Sequence, residues 1–318
     1  HAELAAWPAA EAMALRAVDA AARTHDGKVT ARASLALGVA RVATAGAEAF
    51  ALFRDAQALF AHSGDRRAQS RCALEQGAAH LRSGYIAEAR AGFLKAADLG
   101  RVAHSAVSCG NSALRIAQLL QRTGGLARAS EQLEEATRLF ASVRHQPLRA
   151  QAAFVEGELL RDSGDLEGAA TTLENVAVTA REIGRPWLEA AALSAAALVR
   201  ISLRHAGAEG YAERANEVLA QLADGHWFPG REYVDALNIR LALLGGHAGI
   251  ACDTFVRAAQ TLERRDVYAA SWLAAEVGPA LLQEGVTAVQ QTVEQLRNRA
   301  ERHGFLQLLQ RLPRPPRR

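Results

Sequence analysis

The 318 residues carry 37 basic and 34 acidic side chains, are half hydrophobic and include 17 aromatics, which excludes a disordered or fibrous chain and leaves a net charge of +3. Alanine supplies 72 residues against 37 for Val, Ile and Thr together, a bias toward helix formers and away from sheet formers. No stretch approaches a membrane-spanning run and the N-terminus lacks the order of a signal peptide, so the chain reads as all-α, cytoplasmic and membrane-free.

Along the chain, residues 1–27 read as a leading helix or partial repeat. The only methionine is Met13 and the sequence opens at His1, which reads as a piece of a longer polypeptide. From residue 28 onward, glycines separate paired apolar helical stretches at Gly46, Gly84, Gly124, Gly164, Gly207, Gly246 and Gly285, at intervals of 38 to 43 residues. A second set of breakers alternates with them, including Ser63-Gly64-Asp65, Gly100, His145-Gln146-Pro147, Gly184-Arg185-Pro186 and Arg265-Asp266. Each period is therefore a helix, a short Gly turn, a helix and a longer turn.

Aligned on the turn glycine, four copies share a code. Seven residues before it stand Gly77, Ala117, Gly157 and Ile239; five after it, Ala89, Ala129, Ala169 and Ala251; nine after it, Phe93, Leu133, Leu173 and Phe255. Small residues let paired helices approach while the large one fills the space between them. The copies at Gly207 and Gly285 depart from it, with Asn216 at the large position and Gln290 at an alanine position. This pattern, best carried by Leu74 to Ala89, resembles the tetratricopeptide repeat, although the period is near 40 rather than 34 residues. The 40-residue form, with Ser-Gly-Asp at Ser63 to Asp65 and Ser163 to Asp165, is similar to the sensor arms of bacterial signal-transduction ATPases, kinases and transcription activators of the maltose-activator kind. The resemblance covers residues 28–304 and implies a right-handed superhelical solenoid of about seven helix pairs. Phe305, Leu306, Leu308, Leu309 and Leu312 then read as a capping helix, and Pro313 to Arg318 as a basic, proline-rich tail, together making residues 305–318.

No enzymatic constellation is evident. The sequence lacks a phosphate loop, a dinucleotide fingerprint and a nucleophile elbow, and its ten histidines form no zinc-binding pair, so neither a cofactor nor a metal is expected. Cys72, Cys109 and Cys252 are odd in number and far apart and read as buried small hydrophobes. Basic residues are interleaved with acids, which makes nucleic acid an unlikely partner. Glu134-Glu135 reads as a solvated helix face.

Function then falls to the concave side that first helices line in the resembled family. Its geometry implies residues thirteen, ten, six, three and two before each turn glycine, which selects Arg82, Asn111, Gln118, Arg122, Gln151, Glu158, Arg161, Arg204, Tyr233, Arg240, Leu243 and Trp272 among others, with His205 beside Arg204. Asn111, Gln118 and Gln151 suit a peptide backbone, Arg82, Arg122 and Arg161 suit its carboxylates, and Leu243 with Trp272 suit a hydrophobic anchor. Against this stand an ordinary solvated face for the polar residues and inter-repeat core for Tyr233, Trp187 and Trp272. Pro279 is expected to bend its helix. The expectation is a non-enzymatic module that binds a protein or peptide segment, as the sensor or docking arm of a larger bacterial regulator. The alternatives are a sensor for a small metabolite, a helical enzyme and self-association through the ends of the array.

Overall fold

The computed structural model describes residues 7–42, 46–204, 208–220 and 228–313. Among them the chain forms sixteen α-helices and no strand. These are α1 (Trp7–Ala22), α2 (Gly27–Arg41), α3 (Gly46–His62), α4 (Arg66–Arg82), α5 (Ile86–Val102), α6 (Ala106–Arg122), α7 (Leu126–Ser142) and α8 (Gln146–Ser163). They continue as α9 (Leu166–Glu182), α10 (Pro186–Ser202), α11 (Ala208–Ala220), α12 (Arg231–Leu244), α13 (Ala248–Glu263), α14 (Val267–Leu281), α15 (Thr287–Arg302) and α16 (Leu306–Arg311). Two compact units result: His1–Leu119 with Ala129–Ala152, and Leu120–Arg128 with Ala153–Arg318. Residues 43–45, 205–207, which include the expected Gly207 and His205, and 314–318 lie outside the described residues.

A stricter metric than the glycine spacing underlies the helices. Left-handed residues fall at Gly64, Gly84, His104, Gly124, Arg144, Gly164, Gly184 and Arg204, twenty residues apart each time. Most of the helices between them are seventeen residues long, and a three-residue turn completes the twenty. From Gly64 to Gly184 each turn closes in one way: the residue after the left-handed one donates its N–H back to the helix, as Asp165 does to the Leu160 carbonyl (2.9 Å) and Ser105 to that of Gly100 (3.0 Å). At some turns its side chain then caps the next helix. Asp165 accepts from the Gly168 N–H at 2.9 Å, and His145 Nδ1 accepts from that of Leu148 at 3.3 Å.

The sequence register changes accordingly. Gly46 opens α3, and Gly100 lies inside α5, where an added Cβ would come within 2.9 Å of Ser108. In the fifth copy the left-handed residue is Arg204, three residues before Gly207, and α11 buries Ala212, Ala215 and Val218 while Asn216 is exposed. In the seventh, α14 runs through Pro279 and ends in a 3-10 turn (Leu282–Glu284), which shifts the buried face of α15 by one residue to Val289, Val293 and Leu296.

The small-against-large code is a steric fit. In the first unit an added Cβ on Gly77 would lie 2.8 Å from the Phe93 ring, and Ala89, Phe93 and Ala96 are fully buried. In the second, Gly157 sits as closely against Leu173. Also in the second unit, α10 buries every residue from Leu188 to Val199, as a helix apolar on all sides must. α16 buries Leu308, flanked by buried Phe305 and Leu312, and Arg297 Nη1 donates to the Leu312 carbonyl at 2.6 Å. Leu306, expected on that face, is exposed. Cys72 and Cys252 are buried, whereas Cys109 is only partly so.

Candidate functional site

The second unit gathers charge at the ends of four helices. Gln121 and Arg122 close α6. Glu158, Arg161 and Asp162, three and four residues apart, share one face at the end of α8. Glu232 and Tyr233 open α12, and Asp266, Tyr268 and Trp272 open α14.

Arg122 grips Asp266 with both forks, Nη1 to Oδ1 at 3.2 Å and Nη2 to Oδ2 at 3.0 Å, across 144 residues of sequence. Asp266 Oδ1 also accepts from the N–H groups of Tyr268 (3.0 Å) and Ala269 (3.1 Å), so one carboxylate caps α14 and anchors α6. The Arg122 guanidinium lies 4.5 Å over the Tyr268 ring. Arg161 donates to Asp162 Oδ1 at 2.9 Å, and Gln121 Nε2 takes Asp162 Oδ2 at 2.8 Å. Arg161 also lies over the rings of Trp272 (5.1 Å) and Tyr233 (5.4 Å), whose centroids are 4.6 Å apart. Tyr233 donates its hydroxyl to Glu158. Both aromatics are 2 % exposed, and Trp272 Nε1 is buried without a hydrogen-bond partner.

The electrostatics follow from a surplus of carboxyls. Desolvation raises Glu158 to about 6, against the opposing pull of the Tyr233 hydrogen bond and of Arg161 and Arg122. Glu232 rises to about 8, through desolvation first and then the charges of Asp266 and Glu158. Both keep partial exposure. Both are thus half-buried carboxyls at the clustered helix ends of the second unit.

Five of the residues selected from the sequence meet here: Arg122, Glu158, Arg161, Tyr233 and Trp272. The two arginines, expected to await a ligand's carboxylates, are matched by Asp266 and Asp162 of the chain itself, and the two aromatics are wall rather than open surface. Further along α12, Arg240 donates to the Glu276 carbonyl at 3.0 Å, and Arg311 reaches the Glu276 carboxylate at 2.5 Å. Leu243 is half-buried near the end of α12, and Arg204 is exposed on the left-handed turn after α10. Arg82, Asn111, Gln118 and Gln151 belong to the first unit, where they are half-buried and Gln118 accepts from Arg115 at 2.9 Å. Glu232, Asp266 and Tyr268 were not selected. The only local signal any of them gives is the helix-opening aspartate at 266.

Helices of even length, paired through small-against-large contacts and closed by one kind of turn, make this a tetratricopeptide-type helical repeat fold. Solved structures place it more closely. It is similar to a Rap protein complexed with Competence and Sporulation Factor, with a TM-score of 0.70 and 12% identity over 88% of this chain and 77% of that one. The apo form of RapI matches with a TM-score of 0.64 and 13% identity over 86% and 98%. A signal transduction ATPase with numerous domains and a tetratricopeptide repeat sensor, from Pyrococcus horikoshii, matches with 0.51 and 13% identity over 95% of this chain and 52% of that one. At these identities the likeness is one of fold. No protein-family model and no curated protein sequence matches the chain. Among the described residues no helix is long and apolar enough to cross a membrane.

Proposed function

We propose that the chain is a non-enzymatic helical-repeat module that binds a peptide or protein segment, as the sensing or docking arm of a larger bacterial regulator working in the cytoplasm. Residues 28–304 form the repeat array, with 1–27 leading it and 305–318 capping it. The observation that carries this reading is the cluster of helix ends in the second unit, where charged and aromatic groups meet, a tryptophan donor is left unpaired and two carboxyls form no direct ion pair among the described contacts. Buried polar groups cost stability unless satisfied, so such a concentration points to a ligand rather than to packing. The fold neighbours agree in kind, one solved with Competence and Sporulation Factor and another described as a repeat sensor. In this reading Arg122, Glu158, Arg161, Tyr233 and Trp272 form the centre of the binding surface. Arg240 and Leu243 extend it along α12, with Arg204 a further contact of the second unit, while Arg82, Asn111, Gln118 and Gln151 offer polar contacts of their own within the first unit.

A small-metabolite sensor is the second reading, favoured by the enclosure that desolvates Glu158 and Glu232. Selecting randomised peptides on the immobilised protein, then mapping hydrogen-exchange protection with the selected sequences, separates the two. Protection of α8, α12 and α14 is expected. Protection confined to other helices overturns the site. A library that yields no binder, alongside metabolites that raise the melting temperature by mass action, overturns the peptide reading in favour of the metabolite.

A further inference from the structure

At the clustered helix ends of the second unit, four carboxyls, Asp162, Asp266, Glu158 and Glu232, neighbour two guanidiniums, Arg122 and Arg161. The two aspartates already hold the two arginines, each through direct hydrogen bonds. Glu158 receives only the Tyr233 hydroxyl, a neutral donor. Glu232 forms no ion pair among the described contacts, and its charged neighbours are Asp266 and Glu158, of its own sign, with Arg122 already engaged. The nearby arginines are committed too: Arg240 and Arg311 both converge on Glu276. Among the described contacts two carboxyls thus have no direct ion pair and share arginines already engaged by the aspartates. A second, independent feature sits beside them. Trp272 is 98% buried, its ring packs on Arg161 and Tyr233, and its Nε1 finds no acceptor. A buried donor left open bears the full penalty of its desolvation.

We infer that this cluster binds a basic amino-acid residue of a peptide, its guanidinium or ammonium group meeting Glu158 and Glu232 and a carbonyl oxygen accepting from Trp272 Nε1. The inference rests on the peptide-binding reading above and names the chemistry of the central subsite. The charge count selects a cation. The open tryptophan selects a cation that carries an acceptor close by, as a basic residue with its own backbone does. A bare metal ion suits it less, because among the described residues no three His, Cys, Asp or Glu side chains converge as ligands.

Binding is also linked to protons. Glu158 faces Tyr233, Arg161, Asp162 and Arg122, while Glu232 faces Asp266, Glu158 and Arg122, and each carboxyl is held partly protonated near neutrality. An arriving cation favours the ionised forms, so it expels protons and its affinity rises with pH between about 6 and 8.

The test uses the full chain and acetylated, amidated hexapeptide libraries with one position fixed as Arg, Lys, citrulline or Glu and the others randomised. Arg or Lys at one position is expected to be retained at least tenfold over citrulline, with hydrogen-exchange protection at α8 and α12 and proton release measured by calorimetry in two buffers. Glu158→Gln and Glu232→Gln are expected to remove the preference for charge while keeping the fold, since each exchange is isosteric and removes a repulsive carboxylate. Trp272→Phe, tested separately, is expected to weaken retention of Arg and citrulline peptides alike. If citrulline binds as well as arginine with the same footprint, the inference fails and the binding site stands. If no library protects the second unit, both fail. Agmatine protecting α8 and α12 where no peptide does keeps the cation subsite but moves its source to a free amine.

Discussion

The two units are built from the same repeat and hold together by different means. In the first, helices meet through glycine holes and aromatic knobs: Gly38 faces Phe53, Gly77 faces Phe93 and Gly110 faces Phe140, each at a distance an added Cβ could not tolerate. In the second, Gly157 against Leu173 repeats the device, but four helix ends are also tied by charge, with Arg122 on Asp266 and Arg161 on Asp162. Apolar knobs explain why a repeat stacks. Buried ion pairs are weak contributors to net stability and very costly to break from one side, so they mark where the repeat has been adapted to something besides stacking.

Breaking that charge network gives the largest expected effect. Asp266→Ala strands Arg122 in a setting where its side chain is only 17% exposed and removes the cap of α14, which costs about 3–5 kcal/mol. The measurement is the urea midpoint, and a loss below about 1 kcal/mol would mean the pair is solvated. Asp266→Asn keeps the cap and isolates the charge. In the first unit, Gly77→Ala drives a methyl to 2.8 Å from the Phe93 ring and 3.1 Å from the Ala89 carbonyl, for an expected cost of about 1–3 kcal/mol from overpacking. Pairing it with Phe93→Leu should recover part of the loss if the clash is local.

A third outcome concerns pH. Glu232, free to ionise near 4.3 when unfolded, titrates at about 8 in the fold, so the folded state binds the extra proton between these values. Stability from this group is therefore highest at acid pH and falls as pH rises toward 8, the reverse of a salt-bridged carboxylate. Glu158, at about 6, contributes with the same sign over a narrower range. Glu232→Gln should flatten the fall in urea midpoint between pH 5 and pH 8. An unchanged slope would place the group in free solvent.

What the sequence disclosed depends on whether a residue's role is local. The helix pairing was legible because Gly77 with Phe93 and Gly157 with Leu173 recur at fixed offsets from a turn glycine. Counting back from Gly124, Gly164, Gly246 and Gly285 also led to Arg122, Glu158, Arg161, Tyr233 and Trp272, since those glycines are the left-handed turn residues. The count failed at Gly207 because the turn there is made by Arg204, whose side chain gives no sign of a positive φ. The partners of the buried arginines were not legible as such. Asp266 meets Arg122 over 144 residues, and Tyr233 meets Glu158 over 75. Only the stacking of helices brings those ends together, and no local pattern encodes it.

The smallest expected effect tests the twenty-residue metric, which both units share. Arg144, in the first unit, and Gly164, in the second, make the same turn, with φ of 51° and 95°. Each donates its N–H to the carbonyl three residues back at 3.1 Å, and each is exposed. A non-glycine residue held in this region costs about 1–2 kcal/mol, and glycine offsets that by losing about 0.5–1 kcal/mol more conformational freedom on folding. Arg144→Gly should therefore stabilise by up to about 1 kcal/mol, and Gly164→Ala should destabilise by a similar amount. An added Cβ on Gly164 meets no atom within 4 Å, so its penalty is one of backbone alone. Urea midpoints that move in opposite directions would make turn conformation the cause, independent of whether the adjoining core is apolar or charged. Shifts of the same sign would mean that the arginine side chain is holding its turn through contacts, and that the even spacing is sustained differently in the two halves of the chain.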